Sequence, residues 1–329
     1  MAGAFDRELQ VAIRAVTEAA SLCRDVQAGI TADVLAKKDR SPVTVADFGS
    51  QALICRTLHD AFADDPVIAE EDSAELQKPE NHELLSRVLQ HVSKHCPNVN
   101  EPEICNWIDH GRTRVYKPRF WTLDPIDGTK GFLRGEQYAV SLALIVNGRI
   151  EVAILGCPNL PVSPNEGTAL GVIFYAVRGQ GAWSKPIVGE DTPRRVQVSP
   201  RSDPTLAQFC ESVESGHSSH DRAAVIAGNL GLTQPPVRMD SQAKYAVVAR
   251  GVAEIYLRLP TRVDYQEKIW DHAGGVLIVT EAGGTVTDIA GKPLEFTHGS
   301  ELIANRGVIA TNGPLHARVL TEIQALGLR

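Results

Sequence analysis

The feature that most constrains the fold is the stretch 139–156, where two apolar runs, AVSLALIV and RIEVAILG, flank Asn147-Gly148. Both turn positions of the tightest hairpins need positive φ, which Asn and Gly accept, so this stretch predicts two antiparallel strands. PVIAE, FWTLD, GVIFYAV and AEIYLRL read as further short strands. Helical spacing marks other segments: Leu9, Ile13, Val16, Ala20 and Cys23 form one apolar face, with Gly29 where the helix would end. A second helix is expected to begin near Thr44, whose spacing from Asp47 resembles a capping box, with Leu53, Ile54, Leu58 and Phe62 as its apolar face. Asp47 would then lie in its first turn. Residues 273–282 read as a helix stopped by Gly283-Gly284, with Asp271 at its start, and PLHARVLTEIQAL as a closing helix.

The 329 residues allow one large domain or two intimate ones, and no repeat or long polar linker separates them. The net charge of −7 removes the long-range attraction that a nucleic-acid polymer or an anionic membrane surface would exert. No apolar run approaches the roughly 18 residues of a membrane span. The N-terminal MAGAFDRELQ has no basic, apolar or Arg-rich targeting character, so a cytoplasmic location is expected, although a processed organellar form would look the same. Cys23, Cys55, Cys96, Cys105, Cys157 and Cys210 are scattered without CxxC spacing, which fits a reducing compartment.

The densest chemical feature is WTLDPIDGT, residues 121–129, where a strand is expected to run into a turn bearing Asp124, Asp127, Gly128 and Thr129. Pro125 stiffens that turn, Gly128 lets the backbone approach an anion, and two aspartates three residues apart can bind one cation; an Asx-rich surface turn fits the same letters. Asp47, Glu70 at the end of PVIAE and Asp271 in KIWDHAGG add three further carboxylates. Each alone reads equally as a dipole-complementing, solvated or capping residue. Together they form a candidate cage of oxygen ligands without thiolate or paired imidazole, which suits Mg²⁺. Two such ions about 3.5–4 Å apart would serve an in-line displacement at phosphorus. Other phosphate chemistries find no support: GxxxxGK[ST] is absent, no aspartate stands in a DxDx[TV] context, and Cys105 to Arg112 is one residue too long for a cysteine-phosphatase loop. His217 and His220 lack a third nitrogen or sulfur partner for zinc.

WTLDPIDGT, IAEEDS and IWDHAGG resemble the lithium-sensitive, Mg-dependent phosphatase superfamily of inositol monophosphatases, fructose bisphosphatases and bisphosphate nucleotidases. KDRSPVTVADFGSQ, DPIDGTKGFLRG, CPNLP, GHSSH, DSQAKYA, YLRLP and YQEKIWDH look more specifically like the 3'(2'),5'-bisphosphate nucleotidases of fungi and plants. The resemblance implies an α+β, layered αβαβα fold, with an N-terminal α+β metal-binding half (1–190) and a C-terminal α/β nucleotide-contacting half (191–329) in one continuous unit. It implies two or three Mg²⁺ ions held by Glu70, Asp124, Asp127, Asp271 and the carbonyl of Ile126, with Asp47 and Thr129 as proton acceptors. It further implies substrate binding by Gly128, Thr129, His217, Ser241, Lys244, Arg258 and Asp271. The implied reaction is hydrolysis of adenosine 3',5'-bisphosphate to AMP and phosphate, with 3'-phosphoadenylyl sulfate as second substrate, in sulfur assimilation and nucleotide clearance. A bisphosphate nucleotide is the expected partner and a monomer the expected state.

Two rivals stand beside this reading. An inositol phosphatase would use the same cage, and Lys244, Arg258 and His217 would discriminate. A non-catalytic nucleotide or metal sensor would be expected to lack a cage residue, and all are present. On residue type alone, Lys244 also reads as a solvated helix residue and Arg258 as a strand end.

Overall fold

The computed structural model describes residues 3–30, 41–164, 169–189, 192–214, 219–262 and 264–327. In chain order the first elements are α1 (Asp6–Ala28), α2 (Ser41–Ala61), β1 (Val67–Ala69), α3 (His82–Val92), α4 (Glu101–Asp109), β2 (Arg119–Asp127), α5 (Thr129–Arg134), β3 (Ala139–Val146), β4 (Arg149–Pro161), β5 (Leu170–Val177), β6 (Ala182–Pro186) and β7 (Arg194–Val196). There follow β8 (Phe209–Glu211), α6 (His220–Leu230), β9 (Val237–Arg238), α7 (Ala243–Ala249), β10 (Ile255–Arg258), α8 (Ala273–Glu281), β11 (Thr285–Thr287), β12 (Val308–Thr311) and α9 (His316–Ala325). Asn147 and Gly148 have φ of 50° and 76°, and β3 and β4 pair antiparallel from Val146 opposite Arg149, as the hairpin reading requires.

Strand pleating sorts the apolar residues into layers, because successive side chains point to opposite faces. In β3, Val140, Leu142 and Leu144 enter one core while Ala139, Ala143 and Ile145 enter another. The strand therefore reads as a continuous apolar run: both faces are covered. The first core joins the seven-stranded sheet, ordered β1-β2-β3-β4-β5-β6-β7, to α1 and α2. The second joins its other face to α7, α8 and the second sheet, ordered β11-β12-β10-β8-β9. A third lies beyond that sheet, where Ile255, Leu257 and Ile309 meet Ile226 and Leu230 of α6 and Val319 and Ile323 of α9. The result is the expected α+β, αβαβα stack.

Three local expectations are corrected. α2 already runs from Ser41, which puts Asp47 in its second turn; a proline at position 42 suits a first turn, whose N–H groups have no intrahelical partner. DPID is not a turn but the bulged end of β2, since Asp124 stands opposite Ser141 and Asp127 opposite Ala139, which leaves Pro125 and Ile126 against the single residue Val140. Pro125, which has no N–H to give the ladder, sits inside the irregularity. Asp271 does not begin α8: it ends a 3₁₀ turn, Ile269–Asp271, and His272 occupies the cap position.

Candidate active site

Two strand ends and one helix bring the carboxylates of the first half together. β1 pairs parallel with β2, and the Glu70 N–H continues the ladder to the Leu123 carbonyl at 3.2 Å, so Glu70 leaves the sheet beside Asp124. α2 braces both strand ends. Gln51 takes the backbone of Glu71 at both polar groups (Nε2 to O 2.7 Å, N to Oε1 3.1 Å), and Ser50 Oγ donates to the Pro125 carbonyl at 3.0 Å. Gly128, at φ 89°, turns the chain from β2 into α5. A Cβ on Gly128 would lie 2.9 Å from Cβ of Ser241, itself at φ 69°, so the segments leading into α5 and α7 approach there more closely than a side chain at position 128 would allow.

Across this contact opens a cavity of about 360 Å³. Glu70, Asp124, Ile126, Asp127, Gly128 and Thr129 line it from the first half, and Ser241, Lys244, Arg258 and Asp271 from the second. Asp47 is not in the lining, but it is buried and close enough to Glu71 and Glu70 for their charges to act on it. His217 lies outside the described residues. His220, its partner in the zinc alternative, starts α6 with Nε2 3.0 Å from the Ser212 carbonyl.

Among the described residues no basic side chain forms an ion pair with Glu70, Asp124 or Asp127. Asp124 is 1% exposed, and its Oδ1 has no hydrogen-bond partner among the described residues. Burial, then the charges of Glu70, Asp127, Asp271 and Asp47, raise its carboxyl well above the ordinary range. Asp47 is raised by burial and by Glu71 and Glu70. Glu70 opens to the solvent of the cavity, yet the protein crowded around it and the charges of Asp271, Glu71 and Asp127 hold its carboxyl up as well. Burial lifts Asp271 against the pull of Arg258, and with the Asp127 charge the outcome is about 6. An unpartnered buried oxygen amid mutually repelling carboxylates is the donor set a hard cation fits.

The opposite side carries its own cation. Arg258 Nε lies 2.7 Å from Glu267 Oε2, and Nη2 lies 3.4 Å from Asp271 Oδ2 and 3.5 Å from the Tyr265 hydroxyl. Tyr245 OH and His272 Nδ1 are 2.7 Å apart, which leaves His272 Nε2 to donate to Glu267 Oε2 at 3.2 Å. Burial opposes ionisation of Glu267, but His272 and Arg258 outweigh it and pull the carboxyl down to about 2. Glu267, Asp271 and His272 thus converge with potential ligand atoms within 4.8 Å of one another, but the guanidinium already bridges the two carboxylates. Lys244 is 3% exposed, donates to the carbonyls of Ser241 (2.7 Å) and Met239 (3.4 Å) and sits 5.3 Å from the Tyr256 ring centre. Neither basic residue is a solvated helix position or a plain strand end.

Sequence reasoning missed Glu267, His272, Tyr245 and Gln242. Glu267 precedes Asp271 by four residues in YQEKIWDH, a spacing that could have marked it. Tyr245 and Gln242 carried no such sign, because their partners come from distant elements.

The model of the inositol monophosphatase family matches residues 5–328. A 3'(2'),5'-bisphosphate nucleotidase of Schizosaccharomyces pombe is 45% identical, covering 98% of this chain and 96% of its own. Its counterparts in Emericella nidulans and Oryza sativa are 41% and 42% identical, each over 97% of this chain and over 98% and 94% of their own lengths. Among solved structures, the inositol monophosphatase from Anabaena superposes with a TM-score of 0.61 at 21% identity, covering 98% of this chain and 97% of that one. CysQ from Bacteroides thetaiotaomicron, a bacterial member of the same family, gives 0.62 at 20% identity, covering 94% and 98%. With the layered fold, the carboxylate-lined cavity and a match along nearly the whole length, the chain belongs to the inositol monophosphatase family.

Proposed function

We propose that the chain hydrolyses the 3'-phosphate of adenosine 3',5'-bisphosphate to AMP and phosphate with Mg²⁺, and takes 3'-phosphoadenylyl sulfate as a second substrate. The observation that carries this reading is the cavity's asymmetry: unneutralised carboxylates on one side, and Arg258 and Lys244 on the other. The names of the relatives that match the full length support the nucleotide as substrate. Members of the family are generally metal-dependent, and the all-oxygen donor set favours Mg²⁺.

Glu70, Asp124, Asp127, Asp271 and the Ile126 carbonyl would hold the ions. When bound, these supply positive charge against the phosphate oxygens and the leaving oxygen. Thr129 Oγ1 accepts a hydrogen bond from the attacking water and Asp47 accepts its proton, a task suited to a carboxylate of raised pKa. As water oxygen bonds to phosphorus, the bond from phosphorus to the 3'-oxygen breaks, that oxygen takes up a proton from solvent, and Asp47 returns the proton it accepted to solvent. Ser241, Lys244 and Arg258 meet the phosphate that is not cleaved, and backbone around Gly128 and Thr129 meets the one that is. Phosphate release from a panel of bisphosphate nucleotides and inositol phosphates, with Mg²⁺, with chelator and with added Li⁺, tests the reading. Release from the nucleotides that needs Mg²⁺ and falls with Li⁺ is expected. Preference for inositol phosphates would reassign the substrate.

A further inference from the structure

We infer that Gln242 is a positioning residue that fixes the separation between the carboxylates of the two halves; this rests on their reading as metal ligands. Gln242 is 1% exposed and uses almost every polar group it has. Its backbone N–H donates to Asp127 Oδ2 at 2.6 Å, and its Nε2 donates to the carbonyl of Trp270, the residue before Asp271, at 2.9 Å. Its Oε1 accepts from the Gly275 N–H and from Ser141 Oγ, each at 3.2 Å. Ser141 stands opposite Asp124 in the ladder of β2 and β3. One residue therefore touches Asp127, the neighbour of Asp271 and the strand partner of Asp124, which lie on both sides of the junction between the sheets.

The glycines of HAGG serve the same junction. A Cβ on Gly275 would lie 2.2 Å from Cγ of Tyr245, and one on Gly274 would lie 2.5 Å from Ser141 Oγ. Any side chain there would push the start of α8 away from Gln242. With neither Cβ present, the Gly275 N–H and the Trp270 carbonyl both reach the amide, and Asp271 is set at a fixed distance from Asp127.

The test is Mg²⁺ titration of the substrate-free chain by calorimetry, with Gln242→Met and Gln242→Glu beside the unsubstituted protein. Gln242→Met removes the donor to Trp270 and the acceptor for Gly275 and Ser141 without adding charge, whereas Gln242→Glu keeps that acceptor, loses the donor and adds a carboxylate facing the Trp270 carbonyl. Loss of a group that orients a metal ligand weakens metal affinity by about 10–100-fold, and both variants should show that loss. Asn312→Ala is the control for a merely structural role. It removes three hydrogen bonds outside the cavity: those donated to the carbonyls of Ser199 (2.9 Å) and Arg201 (2.7 Å) and the one accepted from the Leu315 N–H (3.4 Å). It should lower Tm yet leave the Mg²⁺ Kd unchanged. A Kd within twofold of the unsubstituted chain in Gln242→Met would overturn the inference, and if that variant does not fold, a Kd within twofold in Gln242→Glu would do so. No Mg²⁺ binding by the unsubstituted chain would overturn the metal reading, and this inference with it.

Discussion

Two acidic clusters share Asp271, and they respond to burial in opposite ways. In the cluster of Glu267, Arg258 and His272, the carboxyl of Glu267 is held down to about 2 because two donors meet it. In the cluster of Glu70, Asp124 and Asp127, burial and mutual repulsion raise Asp124 well above its ordinary range, and its Oδ1 has no partner among the described residues. Burial alone does not separate Glu267 from Asp124, since both are buried. The difference is the cation: Arg258 stands against both carboxylates of the first cluster, whereas among the described residues no basic side chain forms an ion pair with Glu70, Asp124 or Asp127 in the second.

Charge removal should therefore act with opposite sign on the two sides. Asp124→Asn should abolish turnover, on the order of a thousandfold or more, because a bound ion's stabilisation of the transition state amounts to several kcal/mol. The same substitution should raise the Tm of the metal-free protein by removing an unpaired buried charge. Glu267→Gln should instead lower stability by about 3–5 kcal/mol, because it strands Arg258 without its closest carboxylate. Thermal unfolding in chelator measures both, and equal signs would show that the two clusters do not differ in this way.

A smaller effect is expected on substrate binding. Arg258→Ala should raise KM for adenosine 3',5'-bisphosphate about tenfold to a hundredfold, the loss of one charge-assisted contact at roughly 1.5–3 kcal/mol. For an inositol monophosphate, which lacks a second phosphate, KM should change much less. Equal losses on both would assign Arg258 to holding Asp271 rather than to the substrate, a contact it also makes at 3.4 Å.

The smallest effect is the pH dependence. Asp271 is raised to about 6, and Asp124 and Glu70 are raised too, so the folded chain binds more protons than the unfolded one between about pH 4 and pH 6 and above. The stability they contribute is present below the unfolded carboxyl range and is lost as pH rises through the folded values. Denaturant midpoints in chelator should fall from pH 5 to pH 8, and saturating Mg²⁺ should restore more at pH 8 than at pH 5. A midpoint that rises with pH in chelator would count against an unneutralised cage.

Much of this was legible in the letters wherever a local rule carried the information. Asn147-Gly148 announced its hairpin through φ, and the helical spacing of Leu9 to Cys23 gave α1. α4 was readable but unread: Asn100 and Glu103 form a reciprocal capping box. Asp47 was placed one turn too early, because its spacing from Thr44 imitates a cap inside a helix already under way. The cage residues sit in short motifs, and the resemblance collected them. What holds them was not legible, since Gln242 joins Asp127 to Trp270 and Tyr245 reaches His272 only after the two sheets have packed. No periodicity along the chain records such pairings.

On the proposed reading, a Mg²⁺-filled carboxylate cage cleaves a bisphosphate nucleotide. The decisive measurement is phosphate release from adenosine 3',5'-bisphosphate by the purified chain, in millimolar Mg²⁺ and again in excess chelator. Turnover to AMP and phosphate is expected in the first condition and none in the second. Undiminished turnover in chelator, or none on this substrate with Mg²⁺ present, would overturn that reading.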